Sequence, residues 1–137
     1  MRDAFGAVRS VVLLGGSSEI GLAIVRELPR QPGSTVYLAG PHAPVPLPVV
    51  AGSQVRWVTW DALGPPESAA GVLEQVAGDL DVVVVAVGVL GDATVGTDPR
   101  AAAEVLTTNL TGPAAALVAA GARLGGQREG VPDLVEI

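Results

Sequence analysis

The sequence predicts a doubly wound α/β fold, in which one parallel sheet lies between two layers of helices. Three observations favour this class. Short runs rich in Val and Leu alternate with helical patterns along all 137 residues. A glycine-rich turn joins the first such run to the first helix. Apolar residues make up 49% of the chain and aromatic residues only 3%, so the core must be built from aliphatic side chains. The length fits a single domain over 1–137.

The first half of the chain predicts three strands and one helix. The apolar run 8–14 predicts a buried strand that ends at a pair of glycines. Apolar residues then recur on one helical face, namely Ile20, Ala23, Ile24 and Leu28. Prolines at 29 and 32 end that helix, and strands follow over 35–39 and 54–60 with a proline-rich loop between them.

The second half predicts a helix over 66–76, a strand over 81–87 and a long Ala-rich helix over 98–124. Four consecutive valines in the strand are typical of a central parallel strand. Asp98 can cap the long helix, which Gly112 and Pro113 are expected to bend. With right-handed crossovers, the predicted strand order is 3-2-1-4-5.

A fifth strand begins at residue 134, and the sequence ends at residue 137. We therefore expect a domain truncated after strand five. The outer edge of that strand would be apolar and open, so self-association through it is expected.

Composition and charge exclude several classes of function. The net charge is −6, all eight basic residues are Arg and none of them cluster, which argues against nucleic acid as a partner. Cysteine is absent and His42 is the single histidine, so neither a cysteine zinc site nor a histidine metal centre is expected. The apolar runs fall short of the roughly eighteen residues that a membrane span needs. A cytoplasmic protein without a transmembrane segment is the expectation.

The turn GGSSEIG over 15–21 is typical of a phosphate-binding loop because it lies between a strand and a helix. Glycines permit tight backbone angles, and the free N–H groups and dipole at a helix start attract negative charge. Ser17 or Ser18 can cap the helix. The predicted phosphate-contacting residues are Gly15, Ser17, Ser18, Glu19, Ile20 and Gly21. A plain tight turn with a serine cap and no ligand is the alternative.

The same residues carry a resemblance. A strand followed by Gly15, three residues and then Glu19, Ile20 and Gly21 resembles the N-terminal fingerprint of short-chain dehydrogenases/reductases, a Rossmann-like family. That family usually has Gly where this chain has Glu19. The segments LLGGSSEIGLAI over 13–24 and VAVGVLGD over 85–92 resemble decaprenylphosphoryl-2-keto-erythro-pentose reductases, in which this departure also occurs.

The resemblance implies an NAD(P) cofactor and names further site residues. Asp61 and Ala62 follow strand three, where the family contacts adenine, and Val87 and Gly88 would lie beside the cofactor. Asn109, in the segment TNLTG, matches the asparagine of the family's catalytic tetrad. Each has a plainer alternative, since Asp61 could cap a loop, Gly88 could be a loop glycine and Asn109 could bond nearby backbone.

The implied activity is reduction of a ketone or keto-sugar, such as a lipid-linked 2-keto-pentose, with NAD(P)H. The same resemblance implies a flavin oxidase partner and a place in cell-wall biosynthesis. The rest of the family's tetrad is Ser, Tyr and Lys. This chain has no Lys, its single Tyr37 is on strand two, and the Ser would follow strand five. We therefore expect no turnover by this chain alone. The alternatives are a non-catalytic nucleotide-binding module or a decayed reading frame.

The choice between NAD and NADP stays open. Proteins that select NAD usually carry an acid roughly twenty residues beyond the glycine turn, where it binds the ribose hydroxyls. Here that place holds Ala39, Gly40 and Pro41, and no acid occurs between Glu27 and Asp61.

Overall fold

A computed structural model describes residues 6–127 and 133–136, the last four by their backbone. Five parallel strands form one sheet in the order β3-β2-β1-β4-β5. The strands are β1 (Val8–Leu14), β2 (Arg30–Gly40), β3 (Ser53–Thr59), β4 (Val82–Val85) and β5 (Asp133–Glu136). The helices are α1 (Glu19–Glu27), α2 (Ser68–Glu74), α3 (Pro99–Leu106) and α4 (Gly112–Gly125). The predicted fold class and strand order are confirmed.

Helices cover both faces of the sheet because successive side chains of a strand point to opposite faces. On one face Val11 and Leu13 of β1 pack with Leu22 and Val25 of α1. On the other face the neighbouring β1 side chains belong to a second apolar cluster, which includes residues of α2 and α4. The strand residues of both clusters in β1 and β4 are almost fully buried, as predicted for central parallel strands.

Several predicted boundaries are wrong. Strand β2 begins at Arg30 rather than at residue 35, although it contains Pro32 and Gly33. The pairing between β1 and β2 is irregular at that point, because the register shifts between Val8 and Ser10. An irregular stretch tolerates a proline and a glycine that a regular central strand would not.

Helix α2 is shorter than the predicted 66–76, and β4 ends at Val85 rather than at residue 87. Strand β5 spans Asp133–Glu136 instead of 134–137, and Ile137 lies outside the described residues.

The predicted long helix is interrupted by a π-helical turn over Thr107–Thr111. In that turn the N–H of Gly112 donates to the carbonyl of Thr107, five residues earlier. Pro113 has no N–H and cannot donate to the carbonyl of Asn109 four residues before it, so a regular α-helical ladder cannot continue here. The long helix is thus disturbed as predicted, but over Thr107–Thr111, one turn before Gly112 and Pro113. The predicted cap is confirmed, since the Asp98 carboxylate accepts from the N–H of Arg100 at 2.9 Å.

Taken as one run, Pro99–Gly125 has 27 residues and contains an 18-residue window with a mean hydropathy of 1.3, so by length and composition it could cross a membrane. The expectation that every apolar run is too short is wrong for this segment. A helix that packs on a sheet can meet the same criterion. Here Ala116 and Ala120 of α4 are fully buried in the core, whereas Leu110 and Val118 on the outer face are exposed.

Candidate functional site

A cavity of about 720 Å³ opens at the carboxyl ends of the first four strands. Ligands of open α/β sheets bind at the carboxyl ends of the strands, at the point where the strand order reverses, which is between β1 and β4 here. The lining residues come from the segments that follow each strand and from the π turn. They are Gly15, Ser17, Ser18, Ile20, Gly40, Pro41, His42, Trp60, Asp61, Ala62, Leu63, Ala86, Val87, Gly88, Val89 and Thr108.

The turn after β1 requires glycine for reasons of space. Gly15 has a φ of +98°, and a Cβ there would lie 2.2 Å from the carbonyl oxygen of Ala86. Its N–H and that of Gly16 both donate to the carbonyl of Ala39 at 2.9 Å, which fixes the turn to β2. At Gly21 a Cβ would lie 2.7 Å from Leu13 Cδ1, so glycine also lets α1 approach the sheet.

Three backbone N–H groups at the start of α1 face no acceptor. Ser18 caps the helix, because its Oγ accepts from the N–H of Gly21 at 3.1 Å, as predicted. Its own N–H donates to the carbonyl of Gly15. Among the described residues, no acceptor lies within hydrogen-bond distance of the N–H groups of Ser17, Glu19 and Ile20. Together with the positive end of the helix dipole, they form a site for an anion.

The six residues predicted around the phosphate do not all face the cavity. Gly15, Ser17, Ser18 and Ile20 line it. Glu19 is exposed at the first helical position and Gly21 is buried between α1 and β1, so neither belongs to the lining. Cofactor contact by these residues stays a prediction.

Asp61 and Ala62 form the wall after β3. The Asp61 Oδ1 accepts from the N–H of Leu63 at 2.9 Å, and its carbonyl accepts from Gly64. One carboxylate oxygen therefore closes a turn, as the plainer alternative proposed, while the side chain is exposed in the cavity wall. Ala62 is 8% exposed and touches the start of α4, where a Cβ on Gly112 would lie 2.6 Å from the Ala62 carbonyl.

Asn109 holds the loop that follows β4. Its Oδ1 accepts from the N–H of Val89 at 2.7 Å and its Nδ2 donates to the carbonyl of Val89 at 2.8 Å. Both amide groups are thus used on backbone, and Asn109 itself is outside the cavity lining. Val87, Gly88 and Val89 do line the cavity, so Asn109 positions its wall through them.

Sequence reasoning missed two tryptophans as site residues, Trp57 in β3 and Trp60 directly after it. Trp60 lines the cavity and is 5% exposed. Trp57 packs behind Gly16 and Gly40. Their place at the carboxyl end of a parallel strand was the signal available to find them.

The single tyrosine lies away from this site. Tyr37 is 4% exposed, and its hydroxyl accepts from the N–H of Ala77 at 3.3 Å. It lines a different cleft, at the amino ends of the strands, together with Arg9 and Asp79. Within residues 6–127 and 133–136, no group of three or more His, Cys, Asp or Glu side chains lies close enough to hold a metal ion.

Comparison with known proteins agrees with this arrangement. No protein-family model matches the chain. It is 40% identical over 138 residues to an uncharacterized oxidoreductase of Streptomyces coelicolor, covering 94% of this chain and 54% of the relative. The structure is similar to a short-chain dehydrogenase from Mycobacterium smegmatis, with a TM-score of 0.72, 22% identity and coverage of 95% and 57% of the two chains.

A third similar protein was solved with a ligand. It is the NADH-dependent reductase A1-R′ complexed with NAD, with a TM-score of 0.65, 18% identity and coverage of 86% of this chain and 52% of that one. These structural likenesses show that the chain has the Rossmann-like fold of short-chain dehydrogenases/reductases. The chain spans about half the length of the curated relative and of these solved chains.

Proposed function

We propose that this chain provides the NAD(P)-binding part of an oxidoreductase of the short-chain dehydrogenase/reductase type. The observation that carries the proposal is the set of three unpaired N–H groups, on Ser17, Glu19 and Ile20, at the edge of a cavity about 720 Å³ in volume. A dinucleotide needs both an anion site for its pyrophosphate and an extended cleft for its two ends. The 40% identity to an oxidoreductase supports the same function.

The described residues fit such a cofactor. The start of α1 would hold the pyrophosphate, Asp61 and Ala62 would border the adenine, and Val87 and Gly88 would border the nicotinamide. When bound, the cofactor would supply hydride to a carbonyl carbon. The contribution of Asn109 is to fix Val89, and with it the wall beside Gly88, so we assign it a positioning role toward that ring.

The cavity lining, as far as the structure describes it, holds neither a tyrosine nor a lysine for the acid–base step. A phenol with a pKa near 10 transfers a proton poorly at neutral pH unless a cation stabilises its phenolate. The chain has no Lys, and its one tyrosine is buried beside the cleft at the opposite, amino ends of the strands. We therefore propose that the 137 residues bind NAD(P) and do not turn over a ketone by themselves.

One finer proposal rests on the sequence resemblance. The substrate of the complete reaction would be a keto-sugar, specifically a lipid-linked 2-keto-pentose, reduced in the cytoplasm for cell-wall biosynthesis with a flavin oxidase as partner. The second candidate function is non-catalytic dinucleotide binding, which the position of Tyr37 favours.

We also propose that the chain self-associates through β5. This strand lies at one edge of the sheet and pairs with β4 on one side. An open strand edge presents a row of backbone groups to another chain. Sedimentation analysis of the purified chain should show dimers or larger species, and a monomer at all accessible concentrations would contradict this proposal.

Calorimetric titration of the purified chain with NADH and with NADPH tests the binding function. We expect one saturable site and a melting temperature that rises with ligand concentration. The variant Ser18→Ala removes the cap of α1 and should weaken binding. Ser68→Ala, at the start of α2 where no side-chain cap exists, should not.

Absence of binding by either cofactor would overturn the proposal. A second measurement, oxidation of NADPH in the presence of a ketose, tests whether the chain turns over a substrate by itself. Binding without turnover fits this chain acting as a binding unit. Turnover by the chain alone would show that its own residues supply the acid–base step, against the expectation above.

A further inference from the structure

The indole ring of Trp57 lies directly behind two glycines of the cavity edge. A Cβ on Gly40 would meet Trp57 Cζ2 at 2.9 Å and Cη2 at 3.0 Å. A Cβ on Gly16 would meet Trp57 Cζ3 at 2.9 Å. The six-membered ring therefore occupies the space that a side chain at position 40 would need, whereas at position 16 it shares that role with Leu38 Cβ at 2.8 Å and the Ala39 backbone N at 3.0 Å.

Backbone conformation does not impose glycine at position 40. The described glycines with positive φ do not include Gly40 or Gly16. In addition, the ring atoms of Trp57 are the nearest obstacles to a Cβ at position 40, and the next atom lies 4.0 Å away. The choice of glycine at this position thus follows from the tryptophan on the neighbouring strand.

Gly40 is the last residue of β2 and lines the cavity with Pro41 and His42. In dinucleotide-binding folds this is the place of the acid that binds the adenosine ribose and repels a 2′-phosphate. Among the described residues, Asp61 is the one carboxylate in the cavity lining, and it follows β3 rather than β2. The lining that the structure describes also holds no Arg to attract a 2′-phosphate strongly.

We propose that Trp57 prevents this site from selecting between NAD and NADP. By filling the space next to Gly40, its ring keeps a ribose-binding carboxylate out, so NAD and NADP bind with similar affinity, within about tenfold of each other. The inference rests on the proposed dinucleotide function and adds a specificity-determining residue to it.

Packing, rather than hydrogen bonding, holds the ring in place. Trp57 pairs in register with Leu38, and its Nε1 is buried without a hydrogen-bond partner. A smaller apolar residue can therefore replace it without stranding a partner group. Trp57→Leu should open the space beside Gly40 while keeping an apolar side chain on that face.

A double-mutant cycle in thermal stability tests the steric part. Gly40→Ala should lower the melting temperature clearly when Trp57 is present and much less in the Trp57→Leu background. Gly121→Ala, where a Cβ meets nothing within 4 Å, is the control and should behave alike in both backgrounds. Equal effects of Gly40→Ala in the two backgrounds would overturn the assignment of Trp57.

Cofactor titrations test the selectivity part. We expect the double variant Gly40→Asp/Trp57→Leu to raise the ratio of the NADP Kd to the NAD Kd by about 10- to 100-fold, the effect of a charge-assisted hydrogen bond gained by NAD. Trp57→Leu alone should leave that ratio unchanged. An unchanged ratio in the double variant would overturn the inference.

The wild-type chain separates this inference from the proposed function. If it binds neither cofactor, the proposed function fails and the selectivity claim fails with it. If it binds one of them clearly more than about tenfold tighter than the other, the dinucleotide function stands and the role given to Trp57 is wrong.

Discussion

The two ends of the sheet use their polar groups in opposite ways. At the amino ends, Asp81 Oδ2 accepts from the N–H groups of Arg9 and Ser10 at 2.7 and 3.1 Å. Nearby, the Arg30 guanidinium donates to Ser53 and to several carbonyls, including Leu28 and Ala51. At the carboxyl ends, the start of α1 leaves three N–H groups without an acceptor beside an open cavity.

This difference separates stability from function within one sheet. Paired groups at the amino ends tie β1, β2 and β4 together and close the end of α1. Unpaired donors at the carboxyl ends cost stability in the absence of a ligand and bind an anion when one is present. Substitutions at the amino ends should therefore change unfolding and leave binding intact, whereas those at the carboxyl ends should change binding, with or without a loss of stability.

The largest effect is expected at Gly15. Gly15→Ala places a Cβ 2.2 Å from a backbone oxygen at a φ of +98°, so it should cost about 3 kcal/mol or more and abolish cofactor binding. Gly33→Ala is the matched control. Its φ is +76° with nothing within 4 Å of a Cβ, so it should cost about 1–2 kcal/mol and leave binding intact. Urea unfolding measures both, and equal losses would refute the close approach at Gly15.

The next effect is the loss of a buried carboxylate at the amino ends. Asp81 is 6% exposed, so Asp81→Ala strands two backbone N–H groups and should lower the unfolding free energy by about 2–3 kcal/mol. The Kd of the folded Asp81→Ala variant for the cofactor should not change. Asp61→Ala should instead weaken cofactor binding and change the unfolding free energy little. If Asp81→Ala weakened binding as much as Asp61→Ala, the proposed separation of stability from function between the two ends of the sheet would fail.

A smaller effect is expected from Asn109→Ala, which removes both bonds to Val89 and should cost about 1 kcal/mol, because the site is exposed. Hydrogen exchange at the Val89 amide should become faster. Asn109→Asp keeps the acceptor but not the donor, so its stability loss and its exchange rate at Val89 should lie between those of the wild-type chain and of Asn109→Ala. No change in exchange at Val89 would remove the positioning role of Asn109.

The smallest effect concerns Asp92, which begins a 3₁₀ turn over Ala93–Gly96. Hydrogen bonds from the Thr94 side chain and N–H lower the pKa of Asp92 below its ordinary value. A depressed pKa means that the carboxylate stabilises the turn above its unfolded pKa and that this contribution is lost as the pH falls through the folded value. An NMR titration of Asp92 should shift toward the ordinary value in Thr94→Ala, and an unshifted titration would contradict this cause.

Much of the fold follows from local pattern, because buried parallel strands are continuous apolar runs and helices are periodic. The glycine turn, its Ser18 cap and the place of Asp61 after β3 were predictable for the same reason. The early start of β2 was not, since residue propensities argue against Pro32 in a strand and only pairing with neighbours reveals the irregular register. Trp57 was also missed as a site residue, because its contact with Gly40 joins positions that are neighbours only across the sheet.

The central claim is that the backbone at the start of α1 binds the pyrophosphate of a dinucleotide. An NMR titration of the ¹⁵N-labelled chain with NADH or NADPH tests it most directly. We predict that the amide signals of Ser17, Glu19 and Ile20 shift and saturate together, while those of Arg9 and Ser10 at the other end of β1 do not move. Saturating shifts that leave the amides of residues 17–20 unchanged, or no shifts at all, would contradict the account.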